Sequence, residues 1–221
     1  MMDLPNVEQS YAVEFVRKMI HLCSLLIPVV YSFITKSTTL AILVPLTLVF
    51  GLSDLIRIYH PPTRDLYHKL FGWLLRKHER DDNERHLNGA TYVLLSACIF
   101  VWLYPKVIFI TAFSILIISD TLAALVGRKF GKRRFFKKSL EGTAAFFLSA
   151  LVVVVLAPKA DGTWGEYIVA AVASAVGAVA EAWVTWLDDN LTIPLVVGAT
   201  MWLLYLAFLP SVNVFALDTL H

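Results

Sequence analysis

Long apolar segments are the feature of this sequence that most restricts its fold. A helix needs roughly 20 mostly apolar residues to cross the hydrocarbon core of a membrane, which is about 30 Å thick. Hydrophobic residues make up 58% of the chain and charged residues only 16%, too few for a soluble surface. We predict an all-α polytopic membrane protein in which residues 1–221 form one integral-membrane domain. About seven transmembrane helices are expected, over residues 20–35, 39–56, 89–104, 107–126, 143–157, 167–186 and 191–209.

Lysine and arginine residues are unevenly distributed between the loops. Sixteen of them precede the first apolar segment or lie between the second and third or the fourth and fifth segments. The alternate loops contain only Lys36, Lys106 and Lys159. Because basic loops stay in the cytoplasm, we predict a cytoplasmic-membrane protein with its N-terminus inside and its C-terminus outside. The net charge of +2 gives no reason to expect nucleic-acid binding.

The polar loop after the second apolar segment contains a shorter periodic stretch, residues 63–77. Leu66, Leu70, Trp73 and Leu74 fall on one helical arc, opposite charged residues. This pattern predicts an amphipathic helix that lies in the membrane interface.

The first predicted transmembrane helix begins with a polar face. Glu14, Arg17, Lys18 and His21 are spaced so that they share one side of a helix. A charge placed in lipid costs several kcal/mol, so these residues are functional candidates. Anchoring at the interface, with Glu14 and Lys18 as an ordinary pair, explains the pattern equally simply.

Asp120 follows a strongly apolar stretch of the fourth predicted helix. Ala123, Ala124, Gly127 and Gly131 lie on the same face if the helix continues. Small residues allow a backbone or a ligand to approach closely. A carboxylate in this position suits Mg²⁺, which proteins commonly hold with one or two carboxylates and substrate phosphates. The alternative is that Asp120 pairs with a basic residue of the neighbouring loop.

The segment 127–142 combines glycines with a dense group of cations. Gly127 and Gly131 precede a run of lysines and arginines, and Ser139 is placed to cap the next helix. Backbone N–H groups at a helix N-terminus, together with lysine and arginine, form an anion site. The segment therefore predicts a polyphosphate ligand, whereas the alternative is contact with lipid headgroups.

Further acidic residues lie near the same side of the membrane. Glu181 is near the end of the sixth predicted helix, and Asp188, Asp189 and Asn190 form the turn into the seventh. A solvated turn that caps the seventh helix would also explain the latter group. If the groups converge, chemistry takes place where a water-soluble anion meets a partner dissolved in the membrane.

These motifs resemble a known enzyme family. Asp120-x-x-Ala-x-x-x-Gly-x-x-x-Gly131, followed by Lys138-Ser-x-Glu-Gly142, resembles the CTP-using lipid kinases. That family includes phytol kinase, dolichol kinase and the CTP-dependent diacylglycerol kinase. The segments from Glu14 to His21 and from Asp188 to Pro194 resemble its first and last elements.

The resemblance implies a role for each matching residue. Asp120, Lys138 and Glu141 would be catalytic, and Asp120, Asp188 and Asp189 would bind Mg²⁺. The residues implied in nucleotide and phosphate binding are Arg17, Lys18, Gly127, Arg128, Gly131, Lys138, Ser139, Gly142 and Asn190. The implied partners are CTP, a lipid alcohol, membrane lipids and, as in some family members, a second copy of the chain.

The expected activity is transfer of the γ-phosphate of CTP to a membrane-embedded hydroxyl at the cytoplasmic face. Phytol, another isoprenoid alcohol and diacylglycerol are the acceptors considered. Phosphatidate cytidylyltransferases carry a similar Lys-Lys-Thr-x-Glu-Gly motif, but their second motif, rich in Lys, Asp and Gly, is missing after Ala160. A non-enzymatic lipid-binding or transport protein is the third alternative, although transport predicts an internal repeat or polar residues at the midplane.

Overall fold

The fold is known from a computed structural model, which describes residues 7–60, 62, 63, 65, 69, 87–184 and 186–219. Helices dominate this part of the chain. They are α1 (Val7–Cys23), α2 (Leu26–Phe33), α3 (Lys36–Tyr59), α4 (Gly89–Leu103), α5 (Lys106–Phe130), α6 (Leu140–Leu156), α7 (Trp164–Trp183), α8 (Asp189–Phe208) and a short 3₁₀ helix (Ala216–Thr219). The amphipathic helix predicted over 63–77 lies almost wholly outside the described residues.

Most of these helices are apolar enough for a membrane. α3, α5, α7 and α8 are both long and apolar enough to cross it, and α4 and α6 are apolar but shorter. The prediction of an all-α multi-pass membrane protein therefore holds. The count of seven crossings stays a prediction.

The first predicted transmembrane segment, 20–35, is not one continuous helix. α1 ends at Cys23 and α2 begins at Leu26, with a tight turn between them. Pro28 favours the break, because it has no N–H to donate to the Ser24 carbonyl and its ring would clash with that group. Proline alone is not sufficient, since Pro45 and Pro194 lie inside continuous helices. The Ser24 carbonyl instead accepts a hydrogen bond from the N–H of Ile27 at 3.0 Å.

Helix α5 lies at the centre of the bundle. It packs most extensively against α6 and also contacts α8, α1 and α2. Phe109 and Phe113 stack with ring centroids 4.9 Å apart, and both are buried, as is Ile117. Because α5 is surrounded over most of its length, the Asp120 side chain lies inside the bundle.

A short hairpin, absent from our prediction, connects α5 to α6. It consists of β1 (Arg134–Phe135) and β2 (Lys138–Ser139), which pair antiparallel. Phe136 in the turn has a φ of 51°, in the left-handed region that tight hairpin turns require. The predicted cap of α6 is confirmed, since the Ser139 hydroxyl accepts a hydrogen bond from the N–H of Gly142 at 3.1 Å.

The three lysines of the alternate loops lie at the other end of the bundle. Lys36 donates to the carbonyl of Trp102 at 2.7 Å, and Lys106 to that of Ile34 at 3.1 Å. Lys159 donates to the carbonyls at the end of α6. These lysines therefore stabilise helix ends at the end of the bundle opposite Asp120.

Candidate active site

Three carboxylates meet where α5, α7 and α8 come together. Asp120 projects from α5, Glu181 from the last turn of α7, and Asp189 is the first residue of α8. One oxygen from each lies within 4.8 Å of the others. Asp120 and Glu181 are buried and Asp189 is partly buried. Three negative charges this close repel one another, so the group requires cations nearby.

Two lysines provide those cations. Lys18 of α1 donates to Oδ2 of Asp120 at 2.5 Å. Lys138 of β2 donates to Oε1 of Glu181 at 2.5 Å and to Oδ2 of Asp189 at 3.1 Å. Burial lowers the pKa of Lys138, but the carboxylates of Asp189, Glu181 and Asp120 raise it more, so its pKa lies above the ordinary value. Lys138 is therefore a permanent cation of the site.

One carboxylate oxygen of Glu181 is not bound by Lys138. The Glu181 side chain is 2% exposed, and Oε2 is buried with no hydrogen-bond partner among the described residues. A buried polar atom without a partner is costly, so this oxygen is expected to meet a ligand. Carboxylate oxygens are the donors that Mg²⁺ prefers. Asp120, Glu181 and Asp189 therefore fit a magnesium site in number and in donor type.

A second, outer group of charges links α1 to α5. Glu14 accepts a hydrogen bond from Arg17 at 2.9 Å and forms an ion pair with Arg128 at 3.1 Å. The ordinary pairing of Glu14 with Lys18 is replaced by this arrangement, because Lys18 reaches Asp120 instead. The polar face of α1 therefore faces α5 and does not serve only as an interface anchor.

Three glycines surround the Ser139 side chain. A Cβ on Gly127 would lie 2.9 Å from the Ser139 hydroxyl, and one on Gly142 would lie 3.0 Å from the carbonyl of Ala123. A Cβ on Gly131 would lie 2.2 Å from the carbonyl of Gly127. The glycines thus allow α5 and α6 to approach closely around Ser139, next to Lys138. Their contact with a phosphate stays a prediction.

The hairpin is held by backbone contacts at both ends. The Glu141 carboxylate accepts from the N–H of Arg133, with both oxygens at 3.3 Å, and the N–H of Lys137 donates to the carbonyl of Ala182 at 3.2 Å. Lys138 consequently turns inward. The other cations around the hairpin are exposed: Lys129, Lys132, Arg133, Arg134 and Lys137. Glu141 thus positions the loop, and its catalytic role stays a prediction.

Asp188 and Asn190 lie beside the carboxylate group and make different contacts. Asp188 caps α8, since its Oδ1 accepts from the backbone N–H of Asn190 at 2.9 Å and from its side-chain amide at 2.6 Å. The carbonyl of Asn190 accepts from the hydroxyl of Ser96 at 2.6 Å, which ties α8 to α4. The structure therefore brings Asp189, and not Asp188, to Asp120.

Sequence reasoning did not assign Glu181 as a metal ligand. The signal was an acidic residue within an otherwise apolar helix, which is costly unless a partner is present. Its partner, Lys138, is 43 residues away in the sequence. Only the fold shows that these two residues meet.

Asp54 forms a separate buried cluster at the same end of the bundle. It accepts from the N–H of Asn88 at 2.8 Å and from the hydroxyl of Thr91 at 2.7 Å. Arg57 lies 3.2 Å from its other oxygen. Both oxygens of Asp54 are therefore used to join α3 to α4.

Comparisons with known proteins relate the chain to curated lipid kinases. A CTP-dependent diacylglycerol kinase of Schizosaccharomyces pombe is 28% identical over 166 residues, which are 69% of this chain and 74% of that kinase. A phytol kinase of Synechocystis is 33% identical over 131 residues, which are 53% of this chain and 55% of that kinase. The chain belongs to the CTP-dependent lipid kinase family. An uncharacterised protein of Rickettsia prowazekii is 32% identical to this lipid kinase over 190 residues, covering 85% of the chain and 92% of the relative.

No family profile and no solved structure matches this lipid kinase. As a phosphotransferase, it requires a nucleotide donor with phosphates to bind. The acidic group with its two lysines has the charges that a magnesium–nucleotide complex requires.

Proposed function

We propose that this lipid kinase transfers the γ-phosphate of CTP to the hydroxyl of a membrane lipid alcohol at the cytoplasmic face. The observation that carries the proposal is the buried group of Asp120, Glu181 and Asp189, bridged by Lys138 and Lys18. Phosphoryl transfer depends mainly on positioning and on stabilising charge, and these side chains supply both.

In this proposal the carboxylates of the site bind the metal ion, and its lysines and arginines bind the phosphates. Asp120, Glu181 and Asp189 would hold Mg²⁺, which would supply positive charge to the phosphates. Lys138 and Arg128 lie on the hairpin side and bind the phosphates, and Arg17 and Lys18 contact them from α1. The glycines around Ser139 let α5 and α6 approach closely next to Lys138.

The acceptor reaches the site from the lipid phase. The helices around α5 carry exposed apolar side chains, so a long hydrocarbon chain stays in the membrane while its hydroxyl meets the charged group. The named relatives act on diacylglycerol and on phytol. We propose an isoprenoid alcohol such as phytol, or diacylglycerol, as the acceptor.

The proposed orientation places this charged end of the bundle in the cytoplasm. α1 and α2 count as one broken crossing, and α3 to α8 add six more. The excess of basic residues at this end supports the orientation. Alkaline phosphatase fused to the C-terminus should then be active outside the cytoplasmic membrane, and an inactive fusion would contradict the orientation.

The activity is tested with purified protein in detergent–lipid micelles that contain Mg²⁺. CTP labelled at the γ- or the α-phosphate is offered with phytol, geranylgeraniol, a polyprenol, diacylglycerol or phosphatidic acid. Label from the γ-position on an alcohol supports the kinase and identifies its acceptor. Label from the α-position on phosphatidic acid would instead establish a cytidylyltransferase and overturn the proposal.

A further inference from the structure

Lys138 is placed between two of the three carboxylates of the proposed metal site. Its ammonium nitrogen lies 2.5 Å from Glu181 Oε1 and 3.1 Å from Asp189 Oδ2. The Lys138 ammonium group therefore lies on the side of the carboxylates that faces the hairpin. The positive charge of Lys138 therefore changes the affinity of these carboxylates for a metal ion.

The charges of the site can be counted. Asp120, Glu181 and Asp189 contribute three negative charges, and Lys18 and Lys138 contribute two positive charges. The net charge of −1 is small for a group that holds a divalent cation without help. Glu181 Oε2 is nevertheless buried and has no partner within the described part of the chain, so one ligand position is prepared.

We propose that Lys138 makes this site bind a divalent cation and a triphosphate together and disfavours the bare cation. The inference rests on the proposed function, because it assigns a second task to the same site. The ammonium group repels a divalent cation at the carboxylates and attracts the phosphates that accompany it. Neutralising Lys138 must then change the two affinities in opposite directions.

A role for Lys138 that is only structural predicts something different. If Lys138 merely held α7, α8 and the hairpin together, its loss would weaken binding of the bare cation and of the cation–nucleotide complex alike. The opposite signs are therefore the decisive observation. Lys137 provides a matched control, because it is the adjacent lysine of the same hairpin and is exposed.

The experiment measures Mn²⁺ binding to the full chain in detergent by electron paramagnetic resonance, first without and then with CTP. The variants are Lys138→Met, Lys138→Gln, Lys138→Arg and Lys137→Met. Lys138→Gln keeps a hydrogen-bond donor for Glu181, so it preserves the fold if Lys138→Met does not. No lipid acceptor is present, so turnover does not enter the measurement.

Both neutral variants of Lys138 should bind Mn²⁺ alone about tenfold more tightly than the wild type, a change of about 1.4 kcal/mol. They should bind the Mn²⁺–CTP complex about tenfold more weakly. Lys138→Arg and Lys137→Met should stay close to the wild type in the measurement without CTP. Glu181→Gln should weaken binding of Mn²⁺ alone.

Unchanged or weaker binding of Mn²⁺ alone in both neutral variants would overturn the inference and leave the proposed kinase intact. Failure of every variant to bind Mn²⁺ with or without CTP would overturn both. Opposite shifts in a protein that transfers no γ-phosphate to any lipid would support the inference and remove the proposed function.

Discussion

Lys18 of α1 and Asp120 of α5 form a buried ion pair, although 102 residues separate them in the sequence. The ammonium nitrogen lies 2.5 Å from Oδ2 of the carboxylate. α1 packs mainly against α5, so this contact determines where the N-terminal helix lies. The same residue that we propose as a metal ligand therefore also holds the N-terminal helix at the site.

Lys18→Met is expected to destabilise the protein strongly. Removing one partner of a buried ion pair typically costs about 3–5 kcal/mol, because the other charge stays buried. Arg17→Met is the control and should cost less, since Arg17 is more exposed than Lys18 and Glu14 keeps Arg128 as a second cation. Thermal unfolding in detergent measures both.

The double variant Lys18→Met/Asp120→Asn completes this test. With both charges removed, it should unfold at a higher temperature than Lys18→Met alone. Equal melting temperatures for Lys18→Met and Arg17→Met would show that the buried pair contributes little to stability.

Asp120→Asn should abolish transfer of the γ-phosphate. The amide is nearly isosteric with the carboxylate, but it lacks the negative charge with which a carboxylate attracts Mg²⁺. The variant leaves Lys18 without its buried counter-charge, so it should melt below the wild type, and its activity is measured at a temperature where it is folded. Full activity in this variant would remove Asp120 from the mechanism.

Asp188 and Asp189 are adjacent residues for which the structure predicts different effects. Asp188→Ala removes the cap of α8 and should cost about 1 kcal/mol of stability, while CTP and Mg²⁺ binding stay largely unchanged. Asp189→Ala removes a carboxylate that contacts Lys138 and should weaken Mg²⁺–CTP binding by about tenfold or more. Melting temperatures and binding isotherms for the two variants separate the roles.

The assignment made from the sequence included both Asp188 and Asp189. If Asp188→Ala weakened Mg²⁺–CTP binding as much as Asp189→Ala, that assignment would be restored.

Local patterns were sufficient to predict several features of this site. Gly127 was expected on the face of Asp120 if the helix predicted over 107–126 continued, and α5 does continue to Phe130. The helix start at Ser139 follows from its capping chemistry. Both depend on residues within a few positions of each other. The polar side of α1 was also visible, because Glu14 to His21 repeat at helical spacing.

Contacts between distant segments could not be predicted in the same way. Lys138 meets Glu181 only because the hairpin is tied to the end of α7 through Lys137 and Ala182. Nothing in the local sequence indicates that pairing. The sequence therefore suggested no cation for Glu181, and Asp188 was predicted as a metal ligand in its place. The break before Pro28 was visible in principle, but prolines are common in membrane helices and do not by themselves end one.

Gly131→Ala is expected to disturb the site through packing alone. Its φ of −62° is ordinary for any residue, so backbone conformation does not require glycine here. A Cβ would lie 2.2 Å from the carbonyl of Gly127 and 2.8 Å from Cβ of Ser139, and a backbone carbonyl cannot move as a flexible side chain does. Such overpacking typically costs about 1–3 kcal/mol, and relieving it would shift the hairpin that carries Lys138.

Gly51→Ala is the matched control for this last prediction. Among the described residues outside its own helix turn, no atom lies within 4 Å of a Cβ placed on Gly51, and alanine favours a helix over glycine by about 1 kcal/mol. We therefore expect Gly51→Ala to keep or raise the melting temperature, whereas Gly131→Ala lowers it and raises the KM for CTP. Wild-type stability and KM in Gly131→Ala would show that the α5–α6 junction tolerates a side chain. The close approach of the glycines to Ser139 would then not be needed to position Lys138.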